Sequence, residues 1–203
     1  MHKISIVSLI LGTALFLTSC DWYGRQTVVG TGDLESMEVK LTAFEGVSVT
    51  GTCDVNILIG ETQSLEFRAQ QEILEVLSYE VRDHILHIGF KADYTVNTSK
   101  DIIANIVIPE LSLVSVTGAG DFELEGAKQE LLDIHITGAG DVSAFDMEVK
   151  DCTIRISGAG NCEVNVSDNL DVIISGVGNV FYMGQPALTS DISGVGNVSP
   201  VSP

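Results

Sequence analysis

Two aspartates, Asp121 and Asp141, stand 20 residues apart, and each ends the phrase Thr-Gly-Ala-Gly-Asp. Carboxylates at a fixed spacing are suited to two kinds of chemistry. A calcium ion takes about six to eight oxygen ligands, and two neighbouring carboxylates supply part of that set. Paired carboxylates also act as acid and base in enzymes that cleave glycosidic bonds. Asp121 and Asp141 are therefore candidate metal ligands, and a polysaccharide-active enzyme of the β-helix type is one alternative for the function.

The same phrase returns three more times, but it then ends in Asn161, Asn179 or Asn197. An amide is neither an acid nor a base, so catalysis does not explain a position that holds Asp and Asn alike. A turn explains both residues, because either side chain can hydrogen-bond to nearby backbone. The sequence therefore predicts a ladder of turn residues, with no catalytic residue and no cofactor. A calcium-binding structural repeat protein, with the ion at Asp121 and Asp141, remains the other alternative.

The residues that flank the phrase show which elements carry it. Positions two residues before the first glycine are aliphatic throughout, and polar residues separate them from other apolar positions: Val116, Ile136, Ile156, Ile174 and Ile192. An alternation with a period of two indicates β-strands that share one interior. The first glycines are 20, 20, 18 and 18 residues apart, and periods near 20 are typical of solenoids. The sequence predicts an all-β fold, a β-solenoid similar to a parallel β-helix, with regular repeats over residues 111–203.

Residues 37–110 show the same alternation in longer and less uniform units. Thr50-Gly51-Thr52-Cys53-Asp54 is a degenerate form of the repeated phrase, with Cys53 in place of the second glycine. A hairpin is predicted around Asp83 and His84, and the polar stretch 93–100 is predicted to be a loop. This segment is therefore interpreted as an N-terminal β region of less regular strands.

The first residues of the chain predict the cellular location of the protein. Residues 1–20 combine Lys3, an apolar run from Ile4 to Leu17 and the lipobox Leu17-Thr18-Ser19-Cys20. This pattern is typical of a bacterial lipoprotein signal peptide, in which Cys20 receives the lipid. Residues 21–36 lack periodicity and are predicted to form a flexible tether. The expected location is the bacterial cell envelope, at the outer membrane or cell surface rather than the inner membrane, with the lipid holding the protein to a membrane.

Charge and cysteine usage narrow the class of partner. The chain has 10 Lys and Arg against 28 Asp and Glu, a net charge of −18. Such a field repels nucleic acid, which excludes a nucleic-acid partner.

Cys152 stands where other repeats carry Leu, and Cys162 stands where they carry Phe or Val. Both are expected to be small buried hydrophobes rather than ligands or nucleophiles.

Aromatic residues that follow the turns are candidates for ligand contacts. Phe145, Phe181 and Tyr182 lie there, and aromatic rings at a surface bind sugars or protein. The alternative is that these rings close the core at a broad corner. The final coil is expected to leave β-strand edges open, with Pro200 and Pro203 discouraging edge pairing, and self-association is a further expected partner interaction.

Several segments together resemble one known family. These are the lipobox, the opening Phe44-Glu45-Gly46-Val47-Ser48-Val49-Thr50-Gly51, and Ile106-Val107-Ile108-Pro109-Glu110-Leu111 before the serial glycine phrases. The chain resembles, over about residues 38–200, the putative auto-transporter adhesin head GIN domain family. The resemblance implies a β-helix-like fold in envelope proteins and supplies no catalytic residues, and Cys53 departs from the glycine usual in the phrase. The expected function is that of a lipid-anchored, non-catalytic binding protein, an adhesin or scaffold, with a glycan or an envelope protein as partner.

Overall fold

The computed structural model describes residues 24–201, and it confirms the predicted all-β fold. The strands form a curled, open sheet. The predicted signal peptide, the lipid site Cys20 and the final residue Pro203 lie outside the described residues. Within residues 24–201, no helix has the length and apolar character that a membrane crossing requires.

The N-terminal part of the described chain consists of nine short strands and one helical turn. The helical turn, α1, spans Gln71–Leu74. The strands are β1 (Gln26–Val29), β2 (Glu35–Val39), β3 (Gly46–Val49), β4 (Asp54–Ile59), β5 (Ser64–Ala69), β6 (Leu77–Arg82), β7 (Ile85–Phe90), β8 (Tyr94–Asn97) and β9 (Ile103–Ile108). The predicted hairpin is present: β6 and β7 pair antiparallel. Asp83 and His84 form its turn with positive φ angles of 51° and 62°.

The C-terminal part is built from longer strands that follow the repeated phrase. Its strands are β10 (Leu113–Val116), β11 (Phe122–Ile136), β12 (Val142–Ile156), β13 (Cys162–Ile174), β14 (Val180–Met183), β15 (Ala187–Ile192) and β16 (Val198–Pro200). All of these strands pair in parallel with their neighbours. Leu132 lies opposite Cys152, and Cys152 lies opposite Leu170. The register between strands therefore equals the sequence period, 20 residues and then 18.

Each long strand belongs to two limbs of the curled sheet. The first limb runs in the order β2, β5, β9, β4, the starts of β11, β12 and β13, then β14 and β16. The second limb runs β6, β7, β3, β10, the ends of β11, β12 and β13, then β15. The glycine phrases connect the second limb of one repeat to the first limb of the next.

The aliphatic side chains of both limbs share one hydrophobic core. Phe122 and Val142 project into it from the first limb, and Ile134 and Ile154 project into it from the second. Each of these side chains is at most 1% exposed. Removing the apolar surface of these side chains from water is the main favourable contribution to folding, at roughly 25 cal/mol for each Å² of apolar surface buried.

The phrase needs glycine because consecutive repeats touch backbone to backbone at this corner. A Cβ at Gly158 would lie 2.0 Å from the carbonyl oxygen of Gly138, and one at Gly140 would lie 2.2 Å from that of Gly120. No side chain fits in that space. Both glycines of the phrase therefore allow the parallel register at the corner.

The degenerate phrase at residues 50–54 stacks directly on the first regular one. Val49 pairs with Val116, and Thr52 forms a bridge with Ala119. A Cβ at Gly120 would lie 2.1 Å from the Cys53 carbonyl oxygen. The residues in contact are 67 positions apart in sequence. Strands β5 to β9 therefore form an insertion, which we call the excursion, between two phrases that are adjacent in the sheet.

Two segments differ from the sequence-based expectation. The segment 21–36, predicted to be a flexible tether, contains β1 and the start of β2 in its described part. The segment 93–100, predicted to be a loop, contains β8. Strand β1 pairs in parallel with β8, from Gln26 opposite Tyr94 to Val29 opposite Asn97, in a separate two-stranded sheet. Both strands have only four residues, so each depends on its distant partner for its hydrogen bonds.

The last repeat is exposed. Strand β15 pairs with β13 on one side, and every residue of β15 is exposed to solvent. Leu188 and Ile192 are each 40% exposed, although the residues at the same positions of the preceding repeat, Leu170 and Ile174, are fully buried. These aliphatic residues carry the core pattern without a following layer to cover them in the described chain.

Candidate functional site

The Asp and Asn residues that end the phrases form a hydrogen-bonded ladder. Oδ1 of Asp54 accepts the backbone N–H of Asp121 at 3.1 Å, and Oδ1 of Asp121 accepts that of Asp141 at 2.9 Å. Oδ1 of Asp141 then accepts the N–H of Asn161 at 2.6 Å, and Oδ1 of Asn161 accepts that of Asn179 at 3.1 Å. Each side chain thus satisfies a backbone donor of the next repeat, a role that Asp and Asn perform equally well.

A second row of side chains runs beside the ladder on the outer surface of the first limb. It occupies the position five residues after the first glycine of each phrase and crosses adjacent parallel strands: Asn56, Glu123, Ser143, Glu163 and Phe181. Ser143 Oγ donates to Glu163 Oε2 at 3.4 Å. The ladder and this row line one concave surface, which we call the ladder groove. Of this row, only Phe181 was a predicted candidate, although the fixed offset of all five residues from the glycine is visible in the sequence.

The structure brings together three of the residues that the sequence marked as candidates. Asp121, Asp141 and Phe181 all line the ladder groove. Tyr182, the neighbour of Phe181, packs against the hydrophobic core instead. Phe145 is half-buried beside an irregularity in the pairing of β12 with β13 and does not line the groove.

The charge of the ladder groove is entirely negative. Its ionisable side chains are Asp54, Asp121, Glu123, Asp141 and Glu163, and no Lys or Arg lines it. Among residues 24–201, no three His, Cys, Asp or Glu side chains form a group that could hold a metal ion. The Oδ1 atoms of Asp121 and Asp141 are engaged by backbone donors, so the geometry supports a structural role for both carboxylates.

The three described cysteines lie in the core. Cys53, Cys152 and Cys162 carry free thiols and are buried. Burial was expected for Cys152 and Cys162, which occupy aliphatic positions of the repeat. Burial raises the pKa of the Cys53 thiol to about 12, with a smaller contribution from Asp54. Burial likewise raises the pKa of Cys152 to about 12, and it raises the pKa of Cys162 well above its ordinary value. Because the thiolate is the nucleophile and the metal ligand, these thiols are chemically inert near neutral pH.

The second limb brings His135 and Arg155 together on its outer surface. Nη1 of Arg155 lies 3.2 Å from Nε2 of His135. In this row of outward-facing residues, Ser115 precedes the pair, and Ile173 and Asp191 follow it. The pair lies on the opposite limb from the carboxylates of the ladder groove, so it is not part of that surface.

Comparison with known proteins finds solved structures that are similar to this chain. A crystal structure of a putative adhesin from Bacteroides fragilis is similar with a TM-score of 0.62 and 18% identity, covering 86% of this chain and 100% of that one. A putative adhesin from Parabacteroides merdae has a TM-score of 0.41 and 20% identity, covering 87% and 100% of the two chains. A protein from Parabacteroides distasonis named a putative lipid binding protein has a TM-score of 0.45 and 16% identity, with the same coverage. No curated protein matches the chain.

A family model described as "Putative auto-transporter adhesin, head GIN domain" matches residues 43–143 and 114–186. The matched residues include the phrase at residues 50–54, the ladder and most of the ladder groove. They extend over more than half of the sequence. The resemblance noted in the sequence is thereby confirmed, and the chain belongs to the family of the putative auto-transporter adhesin head GIN domain.

Proposed function

We propose that this protein is a non-catalytic binding protein of the bacterial cell envelope, an adhesin or scaffold, that holds an extended partner in the ladder groove. The observation that supports this proposal is the row from Asn56 to Phe181, which places one outward side chain on each of five adjacent parallel strands. Neighbouring strands are about 4.8 Å apart, so the row presents contacts at a constant interval. A regular surface of this kind suits a partner that is itself a repeating polymer.

The chemistry of the row favours a glycan that is uncharged or carries positive charge. Asn56, Ser143 and the carboxylates offer hydrogen bonds to hydroxyl groups, and Phe181 offers an aromatic face for the apolar side of a sugar ring. The all-acidic lining disfavours an anionic polymer. The names of the family and of its structural relatives describe adhesins or binding proteins rather than enzymes.

The architecture and the cellular location of the protein are part of the same proposal. The parallel register of 20 and 18 residues supports a β-solenoid of the parallel β-helix kind. In this proposal the lipid on Cys20 holds that solenoid to the outer membrane or cell surface, with the first limb available to partners. Two acyl chains or more provide stable anchoring, because each buried methylene contributes about 0.8 kcal/mol.

A glycan array probed with the full chain in detergent tests this function, once with calcium and once with a chelator. Reproducible binding of neutral or cationic glycans that persists in the chelator, and that Phe181→Ala and Glu163→Gln both weaken, supports the proposal. The control is Ile173→Ala, which removes an exposed apolar side chain from the outer surface of the second limb. Binding that the groove variants leave unchanged, or cleavage of a glycan during incubation, contradicts the proposal. Binding that needs calcium assigns Asp121 and Asp141 a metal instead.

We also propose that two copies of this chain associate through the exposed edge of β15. Ser193 N–H donates to the Ile174 carbonyl oxygen, so by strand alternation the peptide groups of Leu188, Ser190 and Ile192 point to the open side. An antiparallel pairing centred on Ser190 places Leu188 opposite Ile192 of the second copy. It places Asp191 opposite Thr189, so the only charged side chain of β15 does not face itself.

Strand β16 limits the contact to the second limb. Val201 N–H donates to Tyr182 O, so position 200, where proline has no N–H, lies on the open side of β16 and obstructs pairing there. Sedimentation of the full chain in detergent at increasing concentration tests the pairing. Dimers that Ser190→Pro abolishes and Asp171→Asn preserves support it, and a monomer at every concentration contradicts it.

A further inference from the structure

We propose that a second cavity, outside the ladder groove, binds an acidic saccharide through the cationic side chains that line it. The cavity has a volume of about 620 Å³ and lies between the separate strand β8 and the outward side of the β6–β7 hairpin. It reaches the degenerate phrase at Thr50, Gly51 and Thr52. It therefore lies at the degenerate phrase, where the excursion formed by β5 to β9 separates this phrase in sequence from the first regular one.

The charge of this cavity is opposite to that of the molecule. Arg25, Arg82 and Lys91 line it against a single acid, Glu80, in a chain that has 10 basic and 28 acidic residues. Charges farther away than about 8 Å are largely screened at physiological ionic strength. The lining residues therefore carry a net positive charge, which attracts a carboxylate or phosphate.

The cationic groups retain donors for a ligand. Arg82 uses only its Nε in the pair with Glu80 Oε1, at 3.1 Å, and both side chains are more than half exposed. The four N–H groups on the two Nη atoms of Arg82 lie outside that pair. Lys91 Nζ donates to the Glu75 carbonyl oxygen at 2.6 Å, which uses one of the three ammonium donors. Arg82 lies opposite Ile85 beside the turn of the hairpin, and Lys91 follows Phe90 at its other end. The two cations can thus bind separate anionic groups of an extended acidic saccharide.

The rest of the lining suits a sugar rather than an inorganic anion. Phe90 and Tyr94 are half-buried aromatic side chains of the cavity, and Ser78 and Thr95 add hydroxyl groups. Aromatic faces contact the apolar side of a sugar ring, and hydroxyl groups fix its orientation. A ligand with both features is a saccharide that carries a carboxylate or a phosphate.

The backbone holds Phe90 in position. A Cβ at Gly51, which has a φ of 112°, would lie 3.1 Å from Cδ2 of the Phe90 ring. The ring therefore rests against the bare backbone of the corner, and it also packs against the hydrophobic core. Its exposed part lines the cavity.

Calorimetry with the full chain in detergent tests the site. The probes are an oligogalacturonate, its methyl ester as the uncharged match, a hyaluronan oligosaccharide and a phosphorylated hexose. We expect at least one acidic probe to bind, its methyl ester or neutral form to bind at least tenfold more weakly, and affinity to fall with added salt. Arg82→Gln and Lys91→Gln are each expected to weaken binding at least tenfold, whereas Lys128→Gln, at a distant corner, leaves it unchanged.

The outcomes separate this site from the ladder groove. Phe181→Ala is expected to leave the affinity for the acidic probe unchanged, so failure of one proposal does not imply failure of the other. Thermal unfolding of each variant confirms that it folds, and Arg25→Gln serves as a third variant if either of the others does not. Absence of binding by every acidic probe, or equal affinity for the acid and its ester, would overturn the proposal.

Discussion

Asp141 and Asn161 are joined by a hydrogen bond in which Asp141 Oδ1 accepts the backbone N–H of Asn161 at 2.6 Å. The amide of Asn161 also donates to the same oxygen, from Nδ2 at 3.3 Å. The bond links two repeats that are 20 residues apart in sequence. It shows why the last position of the phrase tolerates both residue types: the requirement is one acceptor oxygen, not a charge.

Asp141→Ala is expected to lower the free energy of unfolding by about 1 kcal/mol, because the N–H of Asn161 loses its acceptor. Asp141→Asn keeps an acceptor oxygen and is expected to change that free energy by less than about 0.5 kcal/mol. Urea unfolding of the two variants measures the difference. Equal destabilisation by Ala and Asn would show that the charge matters, which would contradict the ladder and favour a bound cation.

Gly158→Ala is expected to be one of the most damaging single substitutions in the chain. Its Cβ would lie 2.0 Å from the Gly138 carbonyl oxygen and 2.4 Å from that of Thr137, and backbone cannot move away without breaking the register. A loss of roughly 3 kcal/mol or more is expected. Thermal unfolding provides the measurement, with Gly24→Ala as the control, since nothing lies within 4 Å of a Cβ at Gly24.

Stability is expected to fall as pH rises above 9. The pKa of Cys53 and of Cys152 is raised from 9.0 to about 12 in the folded protein, so the folded state retains thiol protons that the unfolded chain releases. The stability that these two buried thiols contribute by remaining protonated is fully present below pH 9 and is lost as the pH rises from 9 to 12. Urea unfolding at pH 8 and pH 10 measures the loss.

The matched variant for this experiment is Cys152→Leu with Cys162→Val, which introduces the residues that adjacent repeats carry at those positions. It is expected to fold and to lose less stability between the two pH values than the parent protein. An identical pH dependence in both proteins would show that the buried thiols do not cause it.

Two lysines link repeats at the corner opposite the glycine phrases. Lys128 Nζ pairs with Glu148 at 2.7 Å, and Lys150 Nζ pairs with Glu130 at 3.1 Å. The bond to Glu148 raises the pKa of Lys128, and the bond to Glu130 raises that of Lys150. Lys128→Glu is expected to lower the melting temperature because Glu148, Glu130 and Asp168 then face a like charge.

Salt dependence distinguishes this charge effect from a packing defect. The loss caused by Lys128→Glu is expected to be larger at about 20 mM salt than at about 500 mM, where the Debye length is shorter. Lys128→Met removes the pair without adding repulsion and is the control. A loss that is independent of salt would assign the effect to packing.

The repeated phrase by itself determined the repeat period, the aliphatic positions of the core and the corner at which glycine is required. These features follow from local chemistry: Val116, Ile136 and Ile156 alternate with polar residues, and only glycine permits contact between backbones at Gly138 and Gly158. The family was also recognisable from the sequence. The burial of Cys152 and Cys162 followed from the apolar residues at the equivalent positions of the other repeats.

The tertiary structure alone decided which distant segments meet. Asp54 joins the ladder through a contact with Asp121 across 67 residues, and strand β1 exists because it pairs with β8. Pairing energy of this kind comes from hydrogen bonds to another part of the chain, so the local pattern of Gln26–Val29 contains no sign of it. The same holds for burial: Leu170 and Leu188 occupy equivalent positions, but only Leu170 has a following layer to exclude water.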